Sequence, residues 1–162
     1  MMSFTDYKKR GLKRPMSDND QYVDPTPELF AAFKALDRET PILMLNMLRF
    51  RDQAAYPDGH TLAGKDLSGA DAYQLYGKTS GPIFAKVGGE IVWRGDYQTM
   101  VIGPQEEYWD TVFIARYPNA HAFLEMIADP DYKVAVVNRQ AAVVTSRLIR
   151  FGETTGGVGF GG

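Results

Sequence analysis

The sequence predicts an α+β fold in which a ferredoxin-like βαββαβ protomer pairs with a second copy to form a dimeric α/β barrel. The predicted elements follow in the order β-α-β-β-α-β, with an extra helix before the first strand. The strand predicted over residues 41–50 is apolar on both faces, and the last strand is nearly so. Helices cover only one face of such a sheet, so we expect a twin sheet to bury the other.

The first two elements carry clear local signals. Thr26-Pro27-Glu28 is typical of a helix start, with a cap residue, a proline in the first turn and an acid that the helix dipole favours. This helix is expected to end near Asp37. Pro41 and the apolar run that follows it to Phe50 then indicate a strand with partners on both sides.

The next elements are a loop, a helix and a β-hairpin. Residues 51–67 are predicted to form a long loop, and residues 68–71 resemble a capping box that starts a helix. The pair Gly81-Pro82 predicts a kink or break in that helix. Residues 90–103 and 108–117 then alternate as two antiparallel strands, the first with a bulge expected at Gly95.

The final elements are two short helices and a strand. Pro118-Asn119 and Asp129-Pro130 each predict a helix start, and the β-branched residues 142–151 predict the last strand. With 162 residues, the chain fits one domain. We divide it into an N-terminal arm over residues 1–25, the barrel domain over 26–152 and a Gly-rich flexible tail over 153–162.

Composition excludes several classes of function. The net charge of −2 gives no basic surface for nucleic acid, and no apolar run is long enough for a membrane span. The absence of cysteine excludes disulfides, thiolate nucleophiles and zinc–thiolate sites. No signal peptide is visible, so a cytoplasmic location is expected. The two histidines, His60 and His121, lie far apart and match no metal motif, so we expect no metal and no cofactor.

Polar residues at positions where packing alone would favour apolar ones are the candidates for a binding site. Asn46 interrupts an apolar strand, and a buried amide without partners costs about 1–3 kcal/mol. It either ties the strand to a neighbouring segment or points into a pocket. Arg49, near the strand end, is either a snorkelling side chain or a carboxylate clamp. Tyr73 and Tyr76 share one helix face and either pack in the core or line a cavity.

Three further candidates lie in the second half of the chain. Trp109 and Asp110 begin a strand and point to opposite faces. Trp109 is a core residue, a dimer contact or a ligand stack, whereas Asp110 is the better functional candidate among the acids. Arg139 ends the inward stripe of its helix, where a charge needs a partner or a ligand, and Asp110 is a possible partner.

The order and spacing of these residues resemble the family known as domain of unknown function 1330 (DUF1330), over about residues 27–151. The resemblance rests on residues 44–50, Ala72-Tyr73 with Tyr76, Gly88-Gly89, Trp109-Asp110, Tyr117-Pro-Asn, Phe123 and Asp129-Pro with Tyr132 and Arg139. It implies the dimeric α/β-barrel fold and a homodimer, but no particular reaction.

The sequence thus predicts a homodimer with a mostly apolar pocket between sheet and helices that holds a small carbonyl or carboxylate compound. In one hypothesis it is a cofactor-independent oxygenase or isomerase with Asp110 and Tyr73 as catalytic residues. The residues expected to bind the substrate are Asn46, Arg49, Tyr76, Trp109 and Arg139. The alternative is a ligand-binding or structural dimer without turnover.

Overall fold

The computed structural model describes residues 21–157 and 159–160, and the predictions made for residues 1–20 lie outside this part of the chain. The predicted order of elements is confirmed. The elements are α1 (Pro27–Ala35), β1 (Ile42–Phe50), α2 (Gly69–Lys86), β2 (Glu90–Gly95), β3 (Thr111–Tyr117), α3 (Ala120–Ala128), α4 (Pro130–Ala142) and β4 (Val143–Gly152).

The four strands form one antiparallel sheet in the order β2-β3-β1-β4. This is the strand order of a ferredoxin-like α+β fold, with the helices on one face. The strand β1 lies between β3 and β4, in the interior of the sheet. In the described part of the chain, no helix is long and apolar enough to cross a membrane.

One face of the sheet is covered by the helices and holds the core. Every second residue of β1 and β3 points to this covered face, where the two strands contribute Ile42, Met44, Leu48, Phe113, Ala115 and Tyr117. Residues of α2, α3 and α4 complete the same buried cluster, among them Ala72, Ile83, Phe123 and Tyr132. The core therefore sits between the helices and the central strands.

The other face of the sheet carries a continuous apolar row. Trp93, Ile114, Leu45 and Ile149 follow one another in register across β2, β3, β1 and β4. Trp93 is 51% exposed and Ile149 is 41% exposed, so in the single chain this row faces solvent. We call this surface the open face.

Helix α2 continues through Gly81-Pro82, so the predicted break there is wrong. The predicted capping box is present, with Ser68 and Asp71 bonded to each other's backbone. A proline in a helix interior costs about 3 kcal/mol or more. Buried residues precede Pro82 and follow it at Ile83, and we infer that their packing against one core outweighs this cost.

Strand β2 is shorter than predicted and its bulge lies elsewhere. It ends at Gly95, and residues 96–110 form a loop before β3. The register with β3 shifts between Ile91 and Trp93, so Val92 is the extra residue and the predicted bulge at Gly95 is wrong. The role of Gly95 is steric, because a Cβ atom there would lie 2.6 Å from Cζ2 of the Trp93 ring.

The segment before α1 lies along the edge of β4. The amide of Ser146 donates to the carbonyl of Tyr22 over 2.7 Å, and the amide of Tyr22 donates to Oγ1 of Thr145. Helix α1 begins as predicted, with Thr26 as its cap. Residues 22–26 therefore extend from the sheet edge to the first helix.

Candidate functional site

Three tyrosines lie close together between the helices and the covered face. We call Tyr73 and Tyr76 of α2 and Tyr132 of α4 the tyrosine cluster. The ring centroids of Tyr73 and Tyr76 are 5.3 Å apart, and those of Tyr76 and Tyr132 are 6.3 Å apart. Tyr73 also packs on Phe50 at the end of β1, with 5.0 Å between the centroids. The cluster thus joins both long helices to the central strand.

The hydroxyl groups of the cluster differ in how they are satisfied. Those of Tyr76 and Tyr132 lie 3.1 Å apart and share a hydrogen bond. Within the described part of the chain, the Tyr73 hydroxyl has no hydrogen-bond partner, although its ring is packed on both sides. Among the described residues, the only side-chain atom that is both buried and without a partner is Nε of Arg51, so the Tyr73 hydroxyl is accessible and is the group of the cluster that is available to a ligand.

Burial decides the protonation state of the cluster. It raises the pKa of Tyr73 well above the ordinary value, and the neighbouring Tyr76 raises it further. Burial also raises the pKa of Tyr132, with added contributions from Tyr76. These phenols are therefore neutral at physiological pH. They can donate hydrogen bonds to a carbonyl or carboxylate oxygen, but they are poor proton acceptors.

Asn46 lies on the covered face, as the pocket hypothesis requires. It is opposite Phe113 on one neighbouring strand and Leu148 on the other. Its Nδ2 atom donates to the carbonyl of Met44 over 3.0 Å. This bond holds the amide within its own strand, and the carbonyl oxygen of the side chain remains an acceptor facing the helix layer.

Arg139 holds the N-terminal segment against the sheet. Its Nη1 atom donates to the carbonyl of Val23 over 2.6 Å, and its Nη2 atom donates to Oγ of Ser146 over 3.2 Å. The nearest carboxylate is that of Asp24, at 3.8 Å. The suggested pair with Asp110 does not form, because the N-terminal segment supplies the acceptors instead. The positive charge of Arg139 still acts on Tyr73, whose pKa it lowers slightly against the effect of burial.

Asp110 caps the end of strand β1. Its Oδ2 atom accepts a hydrogen bond from the amide of Phe50 over 2.7 Å, and its own amide donates to the carbonyl of Leu48. The residue is exposed to solvent. Its connection to the tyrosine cluster is therefore indirect and passes through Phe50, which stacks on Tyr73.

Arg49 and Trp109 lie on the side of the open face, away from the tyrosine cluster. The guanidinium carbon of Arg49 is 4.2 Å from the centroid of the Tyr108 ring, and the residue is only 8% exposed. Trp109 is 5% exposed and lies under the guanidinium of Arg147, at 5.4 Å. These cation–π contacts account for two of the predicted binding residues without a ligand.

Two residues of the site were not among the sequence predictions. Tyr132 belongs to the residues of the family resemblance, but its hydroxyl contact with Tyr76 joins different helices, and no local spacing indicates that contact. Arg94 points to the covered face, where its guanidinium carbon is 5.2 Å from the centroid of the Phe113 ring. A regular strand would have placed it on the opposite face, so only the bulge at Val92 explains its position.

An open cleft lies away from the tyrosine cluster. It has a volume of about 600 Å³ and is lined by Thr40, Pro41 and residues 152–155, at the start of β1 and the end of β4. None of the predicted site residues lines it. Among residues 21–157 and 159–160, no group of three or more His, Asp or Glu side chains is close enough to hold a metal ion.

His60 is fixed within its loop. Its ring stacks on Tyr56, with 4.7 Å between the centroids, and Nδ1 accepts from the amide of Leu62. The Tyr56 hydroxyl donates to Oδ1 of Asn138 on α4 over 2.7 Å. This chain of contacts attaches the loop to the helix layer, and none of them connects His60 to the tyrosine cluster.

Comparisons with known proteins identify a family and similar solved structures. The model of the family described as domain of unknown function (DUF1330) matches residues 59–152. The RPA0582 protein of unknown function from Rhodopseudomonas palustris is 53% identical, with a TM-score of 0.78, over 84% of this chain and 99% of that one. Its methylated form gives 53% identity and a TM-score of 0.79, over 85% of this chain and 98% of that one.

A more distant structure is that of SnoaB, a cofactor-independent oxygenase from Streptomyces nogalater. It is 14% identical, with a TM-score of 0.46, over 72% of this chain and 96% of that one. A likeness of this extent supports no inference about activity. No curated protein matches the chain.

Proposed function

Because this chain belongs to the DUF1330 family, whose description names no reaction, we propose a function from the geometry of the molecule itself. The protein is a homodimer, and each protomer binds a small organic molecule that carries a carbonyl or carboxylate group. The molecule lies between the covered face of the sheet and helices α2 and α4. The unpartnered hydroxyl of Tyr73 is the observation that carries this proposal.

The surroundings of Tyr73 support a ligand of this chemistry. The neutral hydroxyl is a donor and seeks an oxygen acceptor, as a carbonyl or carboxylate provides. Asn46 adds a side-chain oxygen on the same sheet face, and the rings of Phe50 and Phe113 add apolar surface. A few polar groups among aromatic side chains are typical of sites for small molecules.

The open face supports the homodimer. Its apolar row crosses all four strands, and large exposed apolar patches are typical of interaction sites. The patch has a charged rim at one end, where Arg116 pairs with Glu153 at 3.1 Å and approaches Glu90 at 3.8 Å. An apolar centre with a polar rim is the usual anatomy of a protein interface. A second copy of the sheet offers the same surface and so matches it.

A cofactor-independent oxygenase or isomerase activity is the second candidate. The neutral Tyr73 hydroxyl favours it, because a protonated donor polarises a carbonyl and stabilises negative charge that develops on its oxygen. In this proposal Tyr73 acts as the donor. The predicted catalytic role of Asp110 would require its carboxylate to release the amide of Phe50 during the reaction.

The proposal is tested by ligand-induced thermal shift across a panel of small carbonyl and carboxylate metabolites. The test compares the wild-type protein with Tyr73→Phe and with Tyr97→Phe. The second variant is the matched control, since it loses the same hydroxyl group from the loop between β2 and β3. We expect some compounds to raise the melting temperature of the wild type and of Tyr97→Phe, and to raise that of Tyr73→Phe by less than half as much.

Two outcomes would contradict the pocket. In one, no compound of the panel shifts the wild-type melting temperature. In the other, the shifts are the same for Tyr73→Phe as for the wild type. The compounds that bind are then incubated with the protein in aerated buffer and followed by NMR. New product signals would favour the enzyme, and their absence would favour a binding protein.

A further inference from the structure

The bulge in β2 reverses the direction of the side chains that follow it. Glu90 pairs with Arg116 and Ile91 with Ala115, but Trp93 pairs with Ile114 because Val92 has no counterpart in β3. In a strand without the extra residue, position 94 would lie on the same face as positions 90 and 92. The bulge instead places Trp93 on the open face and Arg94 on the covered face. Bulges often redirect a side chain in this way near functional sites.

The guanidinium of Arg94 lies on the same side of the sheet as the tyrosine cluster, and its side chain is exposed. Its Cζ atom is 5.2 Å from the centroid of the Phe113 ring, which lies on the covered face. Its charge also acts on the Tyr73 hydroxyl. Within the described part of the chain, Arg94 makes no ion pair and no hydrogen bond. A positive charge and an unpartnered donor therefore occupy the same side of the sheet.

Other arginines near the sheet have structural partners. Arg139 donates to Val23 and Ser146, and Arg116 is paired with Glu153. Arg150 donates to carbonyls of α1 and the turn after it. Their side chains are committed to acceptors of the protein itself. Arg94 contacts an aromatic ring instead, as Arg49 does, but Arg49 is buried on the side of the open face, whereas Arg94 is exposed on the covered face and its N–H groups are available there.

We propose that Arg94 and the Tyr73 hydroxyl together bind the carboxylate of the ligand, so that the pocket selects small planar carboxylates over neutral carbonyl compounds. This inference rests on the function proposed above and specifies its ligand. The planar guanidinium offers two parallel N–H groups that match the two oxygens of a carboxylate. The Tyr73 hydroxyl supplies a third donor, and the ring of Phe113 offers apolar surface to the body of the ligand.

The test uses benzoate and its uncharged analogue benzamide as probes, titrated into the full-length protein and followed by ¹H–¹⁵N NMR. The variants are Arg94→Gln and, as a control with the same change of net charge, Lys78→Gln on the exposed side of α2. We expect benzoate to bind the wild type and Lys78→Gln alike. We expect Arg94→Gln to bind benzoate at least about tenfold more weakly, and benzamide as the wild type does.

A second variant tests the geometry rather than the charge. Inserting one alanine between Trp93 and Arg94 moves Arg94 by one position, from opposite Phe113 to opposite Val112, so Arg94 should turn to the open face while the net charge stays the same. We expect this protein to lose benzoate binding to the same extent as Arg94→Gln. Circular dichroism and the dispersion of the NMR spectrum report whether it is folded, and Arg94→Gln decides the question if it is not.

The outcomes separate this inference from the function on which it rests. Equal affinity of wild type and Arg94→Gln for benzoate would overturn the role of Arg94 and leave the pocket intact. The same holds if benzamide binds the wild type at least as tightly as benzoate does. If neither these probes nor any compound of the metabolite panel binds the wild type, both the pocket and its anion selectivity are overturned.

Discussion

Replacing Trp93 by alanine should weaken the proposed dimer strongly. An aromatic side chain buries about 150–250 Å² in full. Trp93 is 51% exposed in the single chain, so a partner sheet would cover about 75–130 Å² of it in each protomer. At about 25 cal/mol per Å², this is about 2–3 kcal/mol per protomer. The dimer contains two copies of Trp93, so the loss of binding free energy counts twice and the dissociation constant should rise by about 10³–10⁴-fold.

Sedimentation equilibrium at several protein concentrations measures this change directly. The control is Val134→Ala on α4, where a 72% exposed apolar side chain lies away from the open face. The control should dimerise as the wild type does. Because Trp93 is on an edge strand and half exposed, its removal should leave the protomer folded, which far-ultraviolet circular dichroism checks.

Two results would refute the reasoning. The first is a wild-type protein that sediments as a folded monomer at micromolar concentration, since the open face would then be stable in water. The second is a dimer whose dissociation constant is unchanged by Trp93→Ala. That result would show that the copies associate through another surface, and the interface assigned to the apolar row would be wrong.

Three further predictions concern stability. In a double-mutant cycle by urea unfolding, Tyr76→Phe and Tyr132→Phe should show a coupling of about 0.5–1.5 kcal/mol, and additive effects would disprove their hydrogen bond. Ser68→Ala should cost about 1 kcal/mol. Hydrogen bonds from Ser68 also hold the pKa of the Asp71 carboxyl below its usual 3.8. The stability that these bonds to the carboxylate provide is therefore present above pH 3.8 and is lost as pH falls through the lower pKa of the folded state. Asp71→Asn should flatten the melting temperature between pH 2 and 5, and an unchanged profile would contradict this. Arg139→Met should lower the free energy of unfolding by about 2–3 kcal/mol, because it removes the hydrogen bonds to Val23 and Ser146. A single hydrogen bond contributes at least about 0.5 kcal/mol, so a smaller loss would show that these bonds are dispensable.

The parts of the fold that the sequence predicts are those with local causes. The cap of α1, the capping box of α2 and the helix starts at Pro118-Asn119 and Asp129-Pro130 depend on residues within one turn of each other. The long apolar run of β1 predicts a strand in the interior of the sheet, and β1 lies between β3 and β4. The candidate residues come from equally local signals, because Asn46 interrupts an apolar strand and Tyr73 shares a helix face with Tyr76.

The parts that sequence reasoning missed depend on contacts between distant segments. Arg139 required a partner, but the choice between Asp110 and the N-terminal segment depends on how that segment lies along β4. Helix α2 continues through Pro82 because its two ends pack on one core, which no local signal reports. The bulge at Val92 escaped notice because an extra residue shows only against the register of the neighbouring strand, whereas Gly95 offered a misleading local sign.

The bulge also connects the two surfaces on which the proposed function depends. One extra residue turns Trp93 toward the open face and Arg94 toward the covered face, so the two side chains are directed by the same backbone feature. If a partner sheet covers Trp93, it holds the backbone on which Arg94 is mounted. Dimer formation and carboxylate binding should then favour each other, since each stabilises the same register of β2. Linked equilibria are reciprocal. If dimer formation raises the affinity for a ligand at Arg94 by a certain factor, the bound ligand must raise the affinity between the two protomers by the same factor.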